Sequence, residues 1–564
     1  MKKILFVALA ALVMLAFIAC TASSPPTESE APSVETETPT ESPTVSSTAS
    51  PAAPTSPEPS PTVETEYYSA NLTTYQVTAA QPDNPYDIAY QEKVDSEISL
   101  KLAGSDYSIE APFAAIDPYG TSALSMLLYF EDEPGYVSYT IHSPNSDASY
   151  TKTFDEVSVK HYIEVFGLFP NITNEITVRL YDEPGNLLKE ASYLIDVPSI
   201  TLAGVSDPNN PLALSVVSST TGVSDGLFAM MGTIQSGHGY KNVYFYDNEG
   251  LLRGVLDTHY RADTLLQIGE GFLYPYDTRT IVHVSALGKT IALYRLNGYT
   301  MHHDLEIDKH GNIMVLVTKS SSGFQEDYMV TIDKDTGEII GELDFKILFG
   351  DNADFFRLNG TDWLHANSID YIDQKGGNLI VSSREASIIF SVTGADSGEY
   401  ALEYIINEGT NASKLGLSDL NLSQQGEVNY CLGQHSAYYI SGDDENHYQI
   451  VYYNNFYSRN NNRSSSSHPT SNLVPYEDIP GVDEMSFMTV LEIDTTSMTF
   501  SESHTIKFGF SRIRSSAIKY QDNYIASSTQ VHEVVEVDAD FNIVLKLTLR
   551  KSGVYRCNKY KIYD

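Results

Sequence analysis

From about residue 201 to the C-terminus, apolar and polar residues alternate in short runs that end at Asp- and Gly-rich turns. Alternation with a period of two predicts half-buried β-strands, whereas a helical solenoid would show a period near 3.6. Two kinds of segment recur, exemplified by HHDLEIDKHGNIMVLVT and YMVTIDKDTGEIIGELD. A four-strand unit repeated over roughly 350 residues is typical of a β-propeller, for which six blades fit the length. The sequence therefore predicts an all-β protein with a six-bladed β-propeller at 201–564.

A second strand-rich region lies at 67–200. Its alternating runs are SALSMLLYF, YVSYTIHS, HYIEVFGL and EITVRLYDEPGNLLKEASYLI. The runs are short and evenly spaced, and the DEPG sequences between them predict turns. This pattern favours an N-terminal β-sandwich domain, in which the sequence shows no catalytic cluster.

The N-terminus has the features of an export signal. Lys2 and Lys3 precede an apolar stretch at 4–18, which is too short for a comfortable membrane span. Residues 1–19 are therefore predicted to be a signal peptide. Ala19-Cys20 resembles a bacterial lipoprotein cleavage site, at which Cys20 is lipidated; the alternative is a plain signal peptide. The expected location is extracytoplasmic, as a cell-surface or periplasmic lipoprotein held to the membrane only by its lipid.

After Cys20 the composition changes to Ser, Thr, Pro, Ala and Glu, as in TESPTVSSTASPAAPTSPEPSPTVETE. Such a segment cannot bury enough apolar surface to offset its ordering entropy. Residues 20–66 are therefore expected to form a disordered tether that carries the folded domains.

Charge and cysteine content restrict the function. The 564 residues include 34 Lys and Arg against 74 Asp and Glu, for a net charge of -40. This balance argues against nucleic-acid binding, and an anionic substrate would need a locally positive pocket. Only Cys431 and Cys557 remain beyond Cys20, which excludes a disulfide framework. Whether these two pair is left open by the sequence.

Histidines recur at one position of the repeated strands. Superposing HDLEI, NSIDY and HSAYY aligns His303, Asn367 and His435 as the leading residues. Side chains alternate between the two faces of a strand, and equivalent strands of a propeller surround one central channel. We therefore expect these three side chains to converge, together with His365, which lies two residues before Asn367.

Two further residues belong to this set. His302 adjoins His303 and would face away from the channel in an extended strand, so strand register decides between them, and we favour His303. Arg384, in VSSREASIIF, would ordinarily be a surface ion-pair residue. It ends a hydrophobic strand one strand after the His365 segment, which would bring its guanidinium to the same mouth of the channel.

Histidines with an arginine favour an oxyanion ligand. Three histidines could suggest zinc or copper, but no short metal motif is present and an arginine would repel a cation. A guanidinium offers a planar fork of donors to sulfate or phosphate oxygens. We therefore expect no metal and no cofactor, and the chain shows no GxxxxGK[ST] phosphate loop.

These residues resemble those of a known family, the bacterial arylsulfate sulfotransferases that do not use the nucleotide sulfate donor. The motifs that carry the resemblance are DPYGTSALSM, HHD followed by HGNIMVL, DWLHANSIDY, LIVSSREAS, GQHSAYY and VYRCNKYKIY. The resemblance implies a six-bladed propeller behind a β-sandwich. It also implies ping-pong transfer of a sulfuryl group from a phenolic sulfate ester to a phenol acceptor. Members of the family can form homodimers.

The resemblance also implies roles for single residues. His435 matches the histidine that is transiently sulfated, and His365 and Arg384 match its companions around the sulfuryl group. His303 and Asn367 match further pocket residues, and His302 is taken as a substrate-binding neighbour. In this scheme His365 exchanges a proton with the phenols, for which a pKa near neutrality would be suited.

The chain departs from the family where members often have an FDNG-type segment, because YYNNFYSRNNNRSSSS stands there. Two other functions stay open at this stage. A non-catalytic surface propeller could bind a glycan or protein through its many tyrosines. An aryl sulfatase would use water as the acceptor in place of a phenol.

Overall fold

The computed structural model describes residues 66–202, 205–233, 242–350, 361–407, 412–413, 415–457, 480–550 and 553–564. The predicted signal peptide, Cys20 and almost all of the predicted tether lie outside these residues. The polar segment at 458–471 also lies outside them.

Strands and one long helix build the N-terminal region. The elements are β1 (Glu66–Asn71), α1 (Ile88–Ala103), β2 (Phe113–Ile116), β3 (Ser122–Ala123), β4 (Ser125–His142), β5 (Ser149–Phe166), β6 (Ile172–Tyr181) and β7 (Leu187–Val197). All of these strands except β3 form one sheet in the order β1-β7-β6-β4-β2, with β5 also paired to β4. Buried side chains from both halves of β4, such as Leu128 and Tyr139, share a single hydrophobic core. The strand-rich character predicted for this region is confirmed.

Two details of this domain differ from the sequence prediction. The first DEPG, at 132–135, does not end a strand, because β4 continues through it with an irregular register against β5. The second DEPG is a turn, in which the Gly185 N–H donates to the carbonyl of Asp182 (2.9 Å). Pairing of β5 along the whole of β4 keeps the first sequence extended, since the partner strand supplies hydrogen bonds on both sides of the irregularity.

Helix α1 was not expected from the strand pattern. It begins after Asp87, whose side chain accepts from the backbone N–H of Tyr90 (3.0 Å) as an N-cap does. Its buried residues include Tyr90, Val94 and Ile98, spaced four apart along one face. That face packs in a core with β2 and β4, so the helix covers one side of the sheet.

In the rest of the chain, the described residues form six sheets of four or five strands. The strands of the first part are β8 (Leu214–Ser219), β9 (Leu227–Met231), β10 (Val243–Tyr246), β11 (Leu252–Leu256), β12 (Leu266–Ile268), β13 (Gly271–Asp277), β14 (Thr280–Val284), β15 (Thr290–Arg295), β16 (Tyr299–Ile307), β17 (Ile313–Lys319), β18 (Tyr328–Ile332) and β19 (Ile339–Asp344). A short helix α2 (Phe345–Phe349) follows. The strands of the second part are β20 (Ala366–Ile372), β21 (Asn378–Ser383), β22 (Ile388–Thr393), β23 (Ala401–Ile406), β24 (Ser423–Gln425), β25 (His435–Gly442), β26 (His447–Asn454), β27 (Met485–Asp494), β28 (Thr499–Gly509), β29 (Ser516–Tyr520), β30 (Asn523–Ser528), β31 (Glu533–Val537), β32 (Ile543–Leu549) and β33 (Arg556–Tyr560). A 3₁₀ turn at Ser418–Leu420 precedes β24.

We number the sheets 1 to 6. Sheet 1 has the order β3-β11-β10-β9-β33, sheets 2, 3 and 4 contain β12–β15, β16–β19 and β20–β23, sheet 5 has the order β24-β28-β27-β26-β25, and sheet 6 has the order β29-β30-β31-β32-β8. The strands β16, β20, β25, β29 and β33 contact one another in succession, which makes them the inner strands of neighbouring sheets. The all-β propeller prediction is confirmed, and six sheets is also the number of blades that the sequence predicts.

Strands from the two ends of the propeller sequence tie it together. Strand β8, at its start, adds to the outer edge of sheet 6, and β33, at its end, adds to the inner edge of sheet 1. The first and last sheets therefore each contain a strand from the opposite end of the propeller sequence, so neither sheet is complete without the other end of the chain. Strand β3 of the N-terminal region pairs with β11, which attaches that region to sheet 1.

Polar side chains satisfy backbone groups between the inner strands. Asp304 of β16 accepts from the N–H of Ile369 in β20 (3.2 Å). Ser368 of β20 accepts from the N–H of Ala437 in β25 (2.9 Å), and Ser516 of β29 accepts from the N–H of Cys557 in β33 (3.1 Å). An inner strand has no further strand on its open edge, so these side chains satisfy N–H groups that would otherwise be buried without partners.

The structure answers the question that the sequence left open about the cysteines. Cys557 is a buried free thiol, so it does not pair with Cys431. Burial raises its pKa well above the ordinary value for a thiol. Among the described residues no helix has the length and apolar character needed to cross a membrane.

A buried ion pair joins sheet 1 to sheet 6. Lys559 of β33 contacts Glu536 of β31 (Nζ–Oε2 2.8 Å), and both side chains are fully buried. We expect Lys559→Met to lower the free energy of unfolding by about 3–5 kcal/mol, because it leaves a buried carboxylate without its cation. Chemical denaturation followed by tryptophan fluorescence would measure the change.

Lys546→Met is the matched control, since Lys546 pairs with Glu533 at a more exposed place on the same sheet (2.7 Å). Its loss should cost less than about 1 kcal/mol. Equal losses in the two variants would contradict a special role for the buried pair.

Candidate active site

The predicted histidines lie at the starts of inner strands or, for His303, at a break in strand pairing. His303 is at an irregularity in β16, His365 directly precedes β20, and His435 is the first residue of β25. Tyr555 directly precedes β33. The ring centroid of His303 lies 5.0 Å from that of His365 and 5.3 Å from that of Tyr555, which in turn lies 6.1 Å from His435. The three histidines therefore converge, although they are far apart in sequence.

The backbone at these positions is unusual. His303, His365 and Ser436 have φ angles of 58°, 52° and 58°, in the left-handed region that non-glycine residues rarely adopt. The pairing register of β16, β20 and β25 shifts at the same places. Such conformations cost on the order of 1–3 kcal/mol each and persist where the surrounding structure enforces them. Here they turn the imidazoles out of the regular strand direction toward one point.

This backbone corrects the prediction about His302. Alternation along an extended strand would place His302 and His303 on opposite faces, but the strand is not extended at His303. Ring nitrogens of both histidines and a carboxylate oxygen of Glu326 lie within 4.8 Å of one another. Both imidazoles therefore approach the same carboxylate. Burial lowers the pKa of His302 to about 3, so this residue is neutral.

Two carboxylates hold His365. Its Nδ1 lies 2.7 Å from Glu326 Oε2 and 2.9 Å from Asp362 Oδ2. Burial alone would lower the pKa of His365, but the two negative charges outweigh it and raise the pKa to about 10. His365 is therefore an imidazolium at neutral pH, and the expectation of a pKa near neutrality is wrong. Burial would likewise raise the pKa of Glu326, yet the charges of His365 and His303 hold it well below its usual value.

Arg384 is fixed against the His365 segment by its backbone. It lies in the turn after β21, where its N–H donates to the carbonyl of His365 (3.1 Å). Its side chain is only 4% exposed. Nη1 donates to Glu385 (2.9 Å), while Nε and Nη2 have no hydrogen-bond partner among the described residues. A buried guanidinium with donors to spare indicates a place for an anion.

Glu385 does not cancel the charge of Arg384. Burial raises the pKa of Glu385 to about 8, even though the charge of Arg384 acts to lower it. At neutral pH most of this carboxyl group is therefore protonated. The guanidinium keeps its positive charge for a ligand, within a chain whose net charge is strongly negative.

His435 is neutral and held on both ring nitrogens. Burial lowers its pKa well below the usual value, and the charge of Arg384 lowers it further. Nδ1 lies 2.7 Å from Asn455 Oδ1, and the backbone N–H of Arg514 donates to Nε2 (3.2 Å). A neutral imidazole has one lone pair available for bonding, so it is competent as a nucleophile.

Asn367 contacts the backbone rather than the cluster of rings. Its Nδ2 donates to the carbonyl of Gln434, the residue before His435 (2.8 Å), and it is fully buried. This bond helps to hold the start of β25. Direct binding of substrate by Asn367 stays a prediction.

Several residues that sequence reasoning missed complete the site. Tyr555 stands between His303 and His435, and its hydroxyl is buried without a hydrogen-bond partner among the described residues. Arg261 forms an ion pair with Asp263 and lies over the Tyr555 ring at 5.5 Å. Tyr555 falls within the quoted VYRCNKYKIY motif, which could have singled it out. Glu326 lies in a polar loop, SSSGFQEDY, that carries no such signal.

A cavity of about 200 Å³ adjoins the histidines. Its lining combines apolar and polar groups, namely Tyr260, Arg261, Asp263, Pro275, Asp277, Thr278, Thr300, Met301, His302, His303, Thr318 and Glu326. A mixed lining of this kind is usual for small-molecule sites.

Two sets of side chains could hold a metal ion. They are His302, His303 and Glu326, and Glu326, Asp362 and His365, with ligand atoms within 4.8 Å in each set. In the second set, His365 Nδ1 faces both carboxylates, and a nitrogen that carries a proton there has no lone pair for a metal. The expectation that the reaction needs no metal stays a prediction.

The whole arrangement suits transfer of an anionic group. It combines a neutral nucleophile, an imidazolium that can donate a proton, and a guanidinium with unused donors. An imidazolium with a pKa of about 10 can exchange a proton with a phenol, because the phenolic group of tyrosine titrates near the same pH of about 10.

No curated protein sequence matches the chain. Among solved structures, the C-terminal WD40 domain of Sif2 is 7% identical over 58% of this chain and 74% of that one, with a TM-score of 0.26. The BBS1N chain of a complex with ARL6DN is 8% identical over 60% and 85%, with a TM-score of 0.28. Likenesses this weak carry no argument about function.

Family models give a definite result. The model described as Arylsulfotransferase Ig-like domain matches residues 113–198. The model described as Arylsulfotransferase (ASST) matches residues 213–551, which is more than half of the chain and includes His303, His365, Arg384 and His435. The chain belongs to the arylsulfotransferase family and is an aryl-sulfate sulfotransferase.

Proposed function

We propose that the enzyme moves a sulfuryl group from a phenolic sulfate ester to a phenol in two displacements, with His435 carrying the group between them. The observation that supports this most directly is the pairing of a buried neutral imidazole with a buried arginine whose Nε and Nη2 have no partner among the described residues. The imidazole supplies the nucleophile and the arginine supplies donors for sulfuryl oxygens.

In the first displacement, a ring nitrogen of His435 attacks sulfur. The nitrogen–sulfur bond forms while the bond from sulfur to the aryl oxygen breaks, and its electron pair stays on the aryl oxygen. The imidazolium of His365 gives that oxygen a proton, and a neutral phenol leaves. Glu326 and Asp362 have kept His365 charged for this step. Arg384 steadies the negative charge on the sulfuryl oxygens throughout.

The second displacement reverses the first with another phenol. Neutral His365, beside its two carboxylates, takes the proton of the incoming hydroxyl. The phenolate attacks sulfur, and the electron pair of the nitrogen–sulfur bond returns to His435. Because the pKa of His365 lies near that of a phenol, proton transfer is nearly balanced in both directions.

The place of action is part of the proposal. The export signal and Cys20 in the sequence support an extracytoplasmic protein held by a lipid. Such a location fits an enzyme that needs no intracellular nucleotide. The oligomeric state is left open.

His435→Ala should abolish both release of phenol from a chromogenic aryl sulfate and sulfation of an added phenol, because it removes the nucleophile. In the native enzyme we expect a burst of one phenol per enzyme without acceptor, and continued release when a phenol is added. Mass spectrometry of the burst-phase enzyme should show one added sulfuryl group.

Three results would contradict this scheme. Full activity of His435→Ala would show that His435 is not the nucleophile. Continued release without a phenol would indicate a sulfatase, and the absence of any release would favour a binding module.

Arg384→Lys should lower turnover by about 10²-fold or more, because a point charge replaces a planar fork of donors at the transferring group. The rate of the burst phase is the measurement. Arg512→Lys serves as the control and should retain the native rate. The Arg512 residue is exposed, and its backbone N–H donates to Gln530. Native turnover in Arg384→Lys would show that this guanidinium lies outside the reaction.

The burst rate should depend on pH through His365. The first displacement requires the imidazolium of His365 as the proton donor. The burst rate should therefore stay high up to alkaline pH and fall as pH rises through about 10. Glu326→Gln removes one of the charges that raise this pKa, so the fall should begin at lower pH. Stopped-flow measurement of the burst across pH tests both statements.

Glu342→Gln is the control for this series, since Glu342 of β19 pairs with Lys319 at the end of β17 (2.7 Å), where both side chains are partly exposed. Its alkaline limb should coincide with that of the native enzyme. An alkaline limb that stays in place in Glu326→Gln would show that a group other than His365 controls it.

A further inference from the structure

Asn455 joins the proposed nucleophile to the loop before β29. Its Oδ1 lies 2.7 Å from His435 Nδ1. Its Nδ2 donates to the carbonyl oxygens of Ser511 (2.6 Å) and Arg514 (2.9 Å). The residue is fully buried, so water does not compete for these bonds. Asn455 follows directly after β26, the strand that pairs with β25.

These bonds determine which end of the amide faces His435. Carbonyl oxygens only accept hydrogen bonds, so the group that meets two of them must be the amide nitrogen. The oxygen of Asn455 is then left to face His435. An amide oxygen accepts only, and therefore Nδ1 of the neutral imidazole carries the proton, while Nε2 carries the lone pair.

The loop before β29 reaches the other side of the same ring. Arg514 and Ser515 have φ angles of 59° and 81°, two left-handed residues in succession. This conformation aims the Arg514 N–H at Nε2 of His435 (3.2 Å) while its carbonyl receives Nδ2 of Asn455. An N–H that donates to Nε2 requires a lone pair there, which agrees with the tautomer deduced from Asn455.

We propose that Asn455 is a positioning residue that holds His435 in the Nδ1–H tautomer and so assigns Nε2 as the atom that takes the sulfuryl group. This inference rests on the proposed function. Asn455 acts through His435 and contacts no reacting atom itself.

The assignment simplifies the proton balance of the first displacement. The bond from Nε2 to sulfur forms, the bond from sulfur to the aryl oxygen breaks, and the proton of His365 goes to that oxygen. Nδ1 keeps its own proton, which remains donated to Asn455. The sulfated ring therefore needs no proton transfer of its own, and the Arg514 N–H is left beside the sulfuryl group as a donor.

Asn454 offers a matched comparison within the same segment. It is as deeply buried as Asn455, and its side chain also makes three hydrogen bonds. All three involve backbone groups, since Oδ1 accepts from the N–H groups of Leu432 (3.1 Å) and Phe456 (3.1 Å) and Nδ2 donates to Tyr430 (2.9 Å). Loss of Asn454 should therefore perturb packing without changing the tautomer of His435.

The test compares Asn455→Ala, Asn455→Asp and Asn454→Ala in the full chain with a chromogenic aryl sulfate. In Asn455→Ala both tautomers become accessible, and the burst rate should fall by about tenfold or more. The burst rate should fall at low pH, where His435 becomes protonated and loses its lone pair; this fall is the acid limb. In Asn455→Asp a carboxylate beside Nδ1–H favours the imidazolium of His435, so the acid limb should move upward by about one pH unit or more. Asn454→Ala should leave the position of the acid limb unchanged.

A spectroscopic measurement does not depend on the variants folding. Imidazole-nitrogen NMR of the native protein with isotope-labelled histidine should show the proton of His435 on Nδ1. The trapped intermediate should carry the sulfuryl group on Nε2.

A proton on Nε2, or a sulfuryl group on Nδ1, would overturn the inference. An acid limb that is equally unmoved in Asn455→Asp and Asn454→Ala would overturn it as well. The proposed function has separate tests, because it fails if the native enzyme gives no burst, if release continues without a phenol, or if His435→Ala remains active.

Discussion

The open inner edges of the sheets impose the constraint on which the rest of this structure depends. A strand at the channel has a partner strand on one side only, and its remaining N–H groups are buried. Asp304, Ser368 and Ser516 accept from the next inner strand, which ties sheet 3 to sheet 4, sheet 4 to sheet 5 and sheet 6 to sheet 1. With the inner strands held together, the residues at their starts meet at one end of the channel. The active site is a consequence of this closure.

The site carries positive charges although the net charge of the whole chain is negative. The chain carries a large negative charge, yet burial and local pairing leave Arg384 cationic and His365 protonated. His435, close to both, is kept neutral by burial and by the charge of Arg384. Neighbouring imidazoles thus hold opposite protonation states at one pH, because His365 has two carboxylates beside it and His435 has an amide oxygen. One ring is suited to attack and the other to proton transfer.

Much of the fold and part of the site were predictable from the chain. The period-two alternation predicted strands throughout the propeller, and repeated motifs brought His303, His365, Arg384 and His435 together. Prediction failed where local rules did not apply. Helix α1 lies in a region judged from strand patterns, and the first DEPG continues a strand because β5 pairs on both sides of it. The expectation that His302 and His303 face opposite ways was wrong, because side chains do not alternate between faces at a left-handed residue.

The sequence by itself determined the class of fold, the negative net charge and which histidines and arginine to look for at the candidate site. These properties depend on composition, period and motif, which are local. Only the tertiary structure decided the protonation states and the tautomer. They depend on Glu326 and Asn455, which reach the histidines from other parts of the fold, and on the way the chain folds Asp362 back onto His365. A pKa and a hydrogen-bond direction follow from distances of a few ångströms in space, and separation along the chain carries no such information.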